Sequence, residues 1–534
     1  MKTFKYLVLN QLNNSLWGTV ILWSFAFHLC SLNAYGQKIF NVKDYGATGK
    51  NKREVVTSPI QATIDECHSA GGGTVYFPPG EYLSGTLVLK SNVNFHLDNG
   101  AVLYASQDEE DYQVPFDIYK HNNPNQPVLL YAEDAKHISI TGKGTIHGQA
   151  RRFYEDLRDV DGFIEKETEN ARQSGVEMKK YYKIPPFVSL IYLVSCEHVE
   201  ISDIRVIESV DWSVHVQWSE NVTIRNCYIY TSLEAGVNAD GLDIDGCKNV
   251  TISDCIIETG DDAIVLKSTL TKNRSEDCEN ITVTNSVLTS TSAALKIGTE
   301  TYGDFRNIVF SNCVIKDSNR GFSIVVRDGG TVQDVLVSNI TMELNRKAFY
   351  YWGDADPIWL VIKKRSENSK VGEIKNISFD HIIAHGQGTS KLEGYQGSKL
   401  KNITLNNVQL FMHPEATKDK RANHALIASK VESLHVDGLR IYWDEEQVEP
   451  SWGSAMMLEN VDYLTLDNFY GRQGIKESTS PVIILDNVGK GIVRNVEPEA
   501  QTGTLILVKN SKKEDFRFID LDSFGQATEK VAME

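Results

Sequence analysis

No two cysteines stand as C-x-x-C, so no cysteine pair accompanies the histidines, which leaves out the common structural zinc frameworks. The eight cysteines do not read as a bridge framework either. Cys227, Cys255 and Cys313 fall at one position of an internal repeat, as a small apolar stack. Positive charge is also short: 54 Lys and Arg against 71 Asp and Glu, a formal charge of −17. That balance argues against nucleic acid and anionic membranes as partners. It also means that an acidic ligand must meet a local cationic patch, because the overall field repels it. Long apolar runs are missing too. The one candidate, Leu16 to Leu29, is too short to span a bilayer. With Lys2 and Lys5 before it and Ala34-Tyr35-Gly36 after it, the run reads as a signal peptide over residues 1–36, cleaved before Gln37. The expectation is a secreted or periplasmic protein with no membrane span in the mature chain. Loss of Lys2 and Lys5 takes its charge from −17 to −19.

What the chain does have is a repeated phrase: Asn, an apolar residue, Thr or Ser, an apolar residue, then a polar pair. It runs Asn221-Val222-Thr223-Ile224-Arg225-Asn226-Cys227, and returns from Asn249, Asn280, Asn307, Asp334, Asn376 and Asn402. The first five starts are 28, 31, 27 and 27 residues apart. Period-two alternation in short runs means strands with one buried face. A period near thirty means each run belongs to one unit stacked on the last. No helical stretch separates successive copies, so the units are not βαβ crossovers. Each must return through further short strands and tight turns, which makes it one coil of a parallel β-helix. Aligned asparagines fit this fold, because stacked Asn side chains ladder between coils. The sequons that the phrase spells are by-products of the repeat.

A short helix is expected from Ser58 to Ala70, placed before the Gly71–Gly80 segment to cap the open end of the first coils. Residues 107–190, with charged and partly helical sequence such as Arg151 to Arg172, read as an insertion beside the cleft. The whole of 37–534 is expected to be one domain acting as a monomer.

The densest carboxylates lie in Asn238-Ala239-Asp240-Gly241-Leu242-Asp243-Ile244-Asp245 and Gly260-Asp261-Asp262. Asp240 and Asp261 are 21 residues apart, close to one turn of a tight coil, so stacking puts Asp240 beside Asp261 and Asp262. Three packed acids repel, which raises at least one pKa and keeps a proton available. Glycoside hydrolysis needs that division between a protonated acid and an ionised carboxylate. A turn-forming Asp cluster and a calcium site remain alternatives at this point.

At these residues the sequence resembles glycoside hydrolase family 28, the polygalacturonases and their relatives. The family phrases Asn-Thr-Asp and Gly-Asp-Asp appear as Asn238-Ala239-Asp240 and Gly260-Asp261-Asp262. Phe40-Asn41-Val42-Lys43-Asp44-Tyr45-Gly46-Ala47 and the Pro-Pro-Gly at Pro78-Pro79-Gly80 belong to the same resemblance. It implies an all-β, single-stranded right-handed parallel β-helix of pectate-lyase-like form. It also implies inverting hydrolysis of a galacturonate-containing pectic polysaccharide or oligosaccharide without cofactor or metal. Asp261 matches the general acid, and Asp240 and Asp262 match the pair that activates water. If so, the acid and base carboxyls should stand about 6.5–9.5 Å apart.

Two family motifs are missing. Gly-His-Gly is replaced by Ser292-Ala293-Ala294, and the carboxylate-holding Arg-Ile-Lys by Ser323-Ile324-Val325. Substitute cations lie nearby in Lys267, Lys296, Arg320 and Arg327, any of which can clamp a carboxylate. Trp212 and His215 are placed as sugar-stacking and hydroxyl-binding groups, with Tyr351, Trp352 and Trp359 as a further wall. Two other functions fit the same architecture: a polysaccharide lyase, and a carbohydrate-binding β-helix without catalysis.

Overall fold

In the strand Glu220–Arg225, Val222 and Ile224 are buried while Asn221 and Arg225 are exposed, and the next copy, Lys248–Ser253, repeats this with Val250 and Ile252. The same alternation governs most strands. The computed structural model describes residues 38–112, 127–155, 187–347, 353–418 and 420–534, with 119–120, 123–124, 169, 172–173 and 182–183. Residues 1–36 lie outside the described residues. Phe40–Glu534 form one compact unit.

The molecule is nearly all-β, and apart from two two-residue antiparallel pairs its strands pair in parallel with the strand one coil further along. Three such stacks run side by side. The asparagine-led stack holds Glu220–Arg225, Lys248–Ser253, Cys278–Thr284 and Phe305–Ser311. A second holds Tyr228–Tyr230, Ile256–Thr259, Val287–Ser290 and Val314–Ser318. The third borders the acids and cations singled out in the sequence: β1 (Ser189–Val194), β2 (Val214–Gln217), β3 (Leu242–Asp245), β4 (Ile264–Ser268), β5 (Leu295–Thr301), β6 (Arg320–Val326), β7 (Asp356–Ile362) and β8 (Ser390–Glu393). Between the stacks Leu242, Ile264, Leu295 and Phe322 lie in one buried inward column, each side chain burying about 1.5–3 kcal/mol of apolar surface.

Helix α1 (Thr57–Ser69) sits close to where the sequence places it, with Ile60, Ile64 and Cys67 buried. The expected insertion needs correction. Val128–Glu133, Lys136–Gly142 and Thr145–His147 pair in register with neighbours on both sides, so they form a regular coil inside the 107–190 span. Arg151 to Arg172 falls largely outside the described residues.

The asparagines have two jobs. Asn221, Asn249, Asn280 and Asn307 all have φ between 56° and 58°, a left-handed turn that few residues besides Asn and Gly adopt cheaply. Their amides also ladder: Nδ2 of Asn280 donates to Asn249 Oδ1 at 3.0 Å, and Nδ2 of Asn307 to Asn280 Oδ1 at 3.1 Å. Asn280→Ala should therefore cost about 2 kcal/mol, the left-handed strain plus two exposed hydrogen bonds, whereas Asn280→Gly recovers the strain and costs about half as much. Urea midpoints should fall in that order.

The cysteine column is interrupted. Cys227, Cys255 and Cys313 accept equivalent inter-coil hydrogen bonds, but Ser286 occupies the level between Cys255 and Cys313. All three thiols are free and buried. A hydroxyl replaces a thiol there because Ser286 Oγ accepts from the Cys255 N–H at 3.2 Å.

Candidate active site

The turns entering β3 and β4 are pinned by hydroxyls. Thr231 Oγ1 donates to the Ala239 carbonyl at 2.9 Å and accepts from the Gly260 N–H at 2.8 Å, while Thr259 and Ser290 both donate to the Asp261 carbonyl. Gly260 is required because a Cβ there would stand 2.1 Å from the Ser232 carbonyl oxygen. Register then sets the acids. Leu242 pairs with Ile264, so Asp240 stacks over Asp262, one residue off the 21-residue reading, and Asp261 lies beside both. All three are buried, at 2%, 4% and 2% exposure for Asp240, Asp261 and Asp262.

The three differ in their partners. Lys267 Nζ lies 3.0 Å from Asp240 Oδ2 and 3.1 Å from Asp243 Oδ1. Lys296 Nζ lies 2.5 Å from Asp262 Oδ2, and Asp262 Oδ1 accepts from Ser292 Oγ at 2.9 Å and the Ala293 N–H at 3.2 Å. Asp261 pairs with no ammonium among the described residues; Oδ2 accepts from the Asn238 N–H at 3.1 Å. Burial, then the charges of Asp240 and Asp262, push its carboxyl well above the ordinary range. Burial raises Asp240 too, but the Lys267 ammonium works against it. Lys267 itself is held charged by Asp240, Asp243 and Glu300 despite its burial. An acid whose pKa is pushed well up, Asp261, thus lies beside two acids that each pair with an ammonium.

Spacing departs from expectation. Each acid offers an oxygen within 4.8 Å of the other two, not the wide gap foreseen. The cause is architectural: Asp240 and Asp262 are separated only by the rise of one coil, and Asp261 adjoins Asp262 in sequence.

A cavity of about 250 Å³ opens over the acids, with six basic and four acidic side chains around it. Its local balance is therefore positive in a chain of net −17. Lys267, Lys296, Arg320 and Arg327 all reach it. Arg320 is buried, its Nε 2.6 Å from Asp356 Oδ2 and its guanidinium 4.0 Å from the Trp359 ring. Trp359 lines the cavity, whereas Tyr351 and Trp352 lie outside the described residues.

Two sequence-derived residues are placed differently. His215 does not line the cavity; it is buried with Nε2 3.1 Å from Asp245 Oδ2 and its ring stacked 4.5 Å from Tyr192. Trp212 lines the cavity, but the Lys267 ammonium stands 3.6 Å above its ring and takes the face a sugar would use. Reading the sequence missed Asn238, Glu300, Lys363 and Arg365, which also line it. Lys363 was findable from stacking: Val325, at the site of the missing motif's lysine, pairs with Val361, two residues before it.

A larger cavity of about 980 Å³ lies at the asparagine-led edge. Two of its three carboxylates, Glu373 and Asp462, are already paired with Lys401 and Lys399, and it holds none of the three stacked aspartates. No helix among the described residues is long and apolar enough to cross a membrane.

The chain is 25% identical to the Vitis vinifera protein named "Probable polygalacturonase", over 70% of this chain and 74% of that one. It is 26% identical to the endo-polygalacturonase of Pectobacterium carotovorum subsp. carotovorum, over 68% of this chain and 85% of that one. The fold is shared with a hyperthermoactive exopolygalacturonase from Thermotoga maritima, at TM-score 0.61 and 22% identity over 76% of this chain and 92% of that one. It is shared also with a family 28 exopolygalacturonase from Yersinia enterocolitica, at TM-score 0.60 and 19% identity over 80% and 78% of the two chains. The profile of "Glycosyl hydrolases family 28" matches residues 67–433, a span that contains all three acids and the cations around them, and the chain belongs to that family.

Proposed function

We propose that the protein hydrolyses glycosidic bonds of galacturonate-containing pectic polysaccharide or oligosaccharide, with Asp261 as general acid and Asp240 and Asp262 holding the attacking water. The observation that carries this is the division of charge among the acids. Asp261 pairs with no ammonium among the described residues and keeps its proton, ready for the leaving oxygen. Asp240 and Asp262 each pair with a lysine, and the Lys267 ammonium works against the burial that raises Asp240. The positive cavity supports a uronate ligand against the repulsion of the whole chain.

The reading includes inversion at the anomeric carbon. The tight grouping of the acids is nearer the about 5–5.5 Å of retaining enzymes than the about 6.5–9.5 Å of inverting ones, so the first product's anomer is the measurement that decides. NMR of a fresh digest of defined galacturonate oligosaccharides should show the inverted anomer and new reducing ends. Unsaturated, ultraviolet-absorbing products would make the protein a lyase. Binding without new reducing ends would make it a non-catalytic module.

The same reading takes 37–534 as one right-handed parallel β-helix domain with α1 capping its first coils. It takes residues 1–36 as a signal peptide that sends a monomer to the periplasm or outside the cell. Supporting the cap are the buried Ile60, Ile64 and Cys67 on α1.

The substrate's charge has its own test. Arg320→Ala and Lys296→Ala should each raise KM for a uronate oligosaccharide about tenfold or more, and much less for its carboxyl-reduced analogue. Steady-state kinetics on the matched pair checks this. Equal effects on both substrates would refute it.

A further inference from the structure

Lys296 is engaged by Asp262, Lys267 by Asp240 and Asp243, Arg320 by Asp356, and Arg365 by Asp328 through two contacts at 2.7 and 2.8 Å. Lys363 is different. It lines the same cavity, directly after β7, and no carboxylate pairs with its ammonium among the described residues. Its ammonium stands over the Trp359 ring, 4.9 Å from the centroid, a ring it shares with the Arg320 guanidinium. Its backbone N–H is fixed by the Val326 carbonyl at 3.0 Å, so the side chain springs from a defined point.

Register explains why this matters. Ser323 and Val325 hold the positions of the missing cations, and one coil on they pair with Trp359 and Val361. Lys363 lies two residues past Val361, on the same face by strand alternation. Val325 also lines the cavity, so the shorter side chain leaves room below Lys363.

We propose that Lys363, backed by the Trp359 ring, is the residue that takes the substrate's uronate carboxylate in place of the missing Arg-Ile-Lys cations. This rests on the uronate reading above. An ammonium with no paired carboxylate among the described residues, in a mostly buried pocket shared with other cations, is costly when the pocket is empty and is relieved by an incoming anion. The groups facing it are Arg320 and Arg327 from β6 and its end, Lys296 from β5, and Glu393 from β8. Burial first, then Arg327 and Arg320, bring its pKa down to about 8, with Glu393 acting the other way and Lys296 in the same sense. The free site therefore loses this charge as pH rises through about 8.

The test is equilibrium binding by calorimetry in the Asp261→Asn background, which removes turnover and the titration of Asp261 together. Ligands are a galacturonate oligosaccharide and its carboxyl-reduced analogue, measured from pH 6 to pH 9. Lys363→Met should weaken uronate binding about tenfold or more at the acid end and leave the neutral analogue unchanged. Asp261→Asn alone should lose uronate affinity across about pH 8, whereas adding Lys363→Arg should keep affinity and abolish the alkaline loss. Unchanged uronate affinity in Lys363→Met, or equal weakening of both ligands, overturns the assignment and leaves the uronate reading standing. Failure of the Asp261→Asn protein to prefer uronate over its reduced analogue overturns both.

Discussion

Asp261→Asn is expected to lower turnover about 10³-fold while making the protein more stable at neutral pH. The first effect follows from chemistry: a positioned general acid contributes about 10²–10⁴-fold, and asparagine keeps the shape but has no acidic proton to give. The second follows from linkage. The folded-state pKa of Asp261 lies well above its unfolded value because the carboxyl is buried beside Asp240 and Asp262. The folded chain thus holds a proton that the unfolded chain releases, and stability is lost as pH rises through that window. Asparagine does not titrate, so the two proteins match below the unfolded pKa of about 4 and diverge above it, with the variant ahead. Thermal melts at pH 3.5 and pH 7 measure the divergence, and initial rates measure the loss. Turnover within a few-fold of the parent would remove Asp261 from the acid role. A variant less stable at pH 7 than at pH 3.5, relative to the parent, would show that the carboxyl is ionised in the fold.

The coils were legible because the repeat is written in residues whose backbone preference is strong. Asparagine at Asn221, Asn249, Asn280 and Asn307 marks a left-handed corner that most residues avoid, so the sequence shows each corner directly. The acid cluster was legible for a related reason: Asp240 and Asp262 are a coil apart in sequence, and parallel stacking converts that interval into contact. Roles that depend on what covers a side chain were not legible. His215 alternates outward on β2 like a cavity residue, yet Asp245 one coil on captures its ring nitrogen and buries it. Trp212 lost its exposed face to Lys267, 55 positions later in sequence, through a contact that no local pattern announces. Lys363 escaped notice because its coil is irregular: the phrase starts at Asp334 and Asn376 are 42 residues apart, so position counting fails and only strand register finds it.

Lys267→Met is expected to lower the unfolding free energy by about 3–5 kcal/mol and to disable the base, because Lys267 is the counter-ion of Asp240 and Asp243. Its ammonium lies 3.0 Å from Asp240 and 3.1 Å from Asp243, with Glu300 at 3.8 Å, and its side chain is 5% exposed. Removing one partner of a buried ion pair leaves uncompensated charge in low dielectric, the case that costs about 3–5 kcal/mol. Methionine fills similar volume, so the loss is electrostatic and should depend on pH with a known sign. Without the ammonium, burial raises the folded pKa of Asp240 further above its unfolded value. The deficit is then absent below about pH 4, where Asp240 is neutral in either state, and grows toward neutrality. Activity carries the same signature: Asp240 must ionise to accept a proton from water, so the acidic limb of the kcat profile should move to higher pH. Adding Asp240→Asn to Lys267→Met supplies the control. The double variant should regain part of the stability, since one stranded carboxylate is gone, and should regain no activity. Chemical denaturation at two pH values with rate profiles separates these outcomes. A Lys267→Met protein of parental stability at pH 7 would mean that water, not Lys267, balances the charge of the acids.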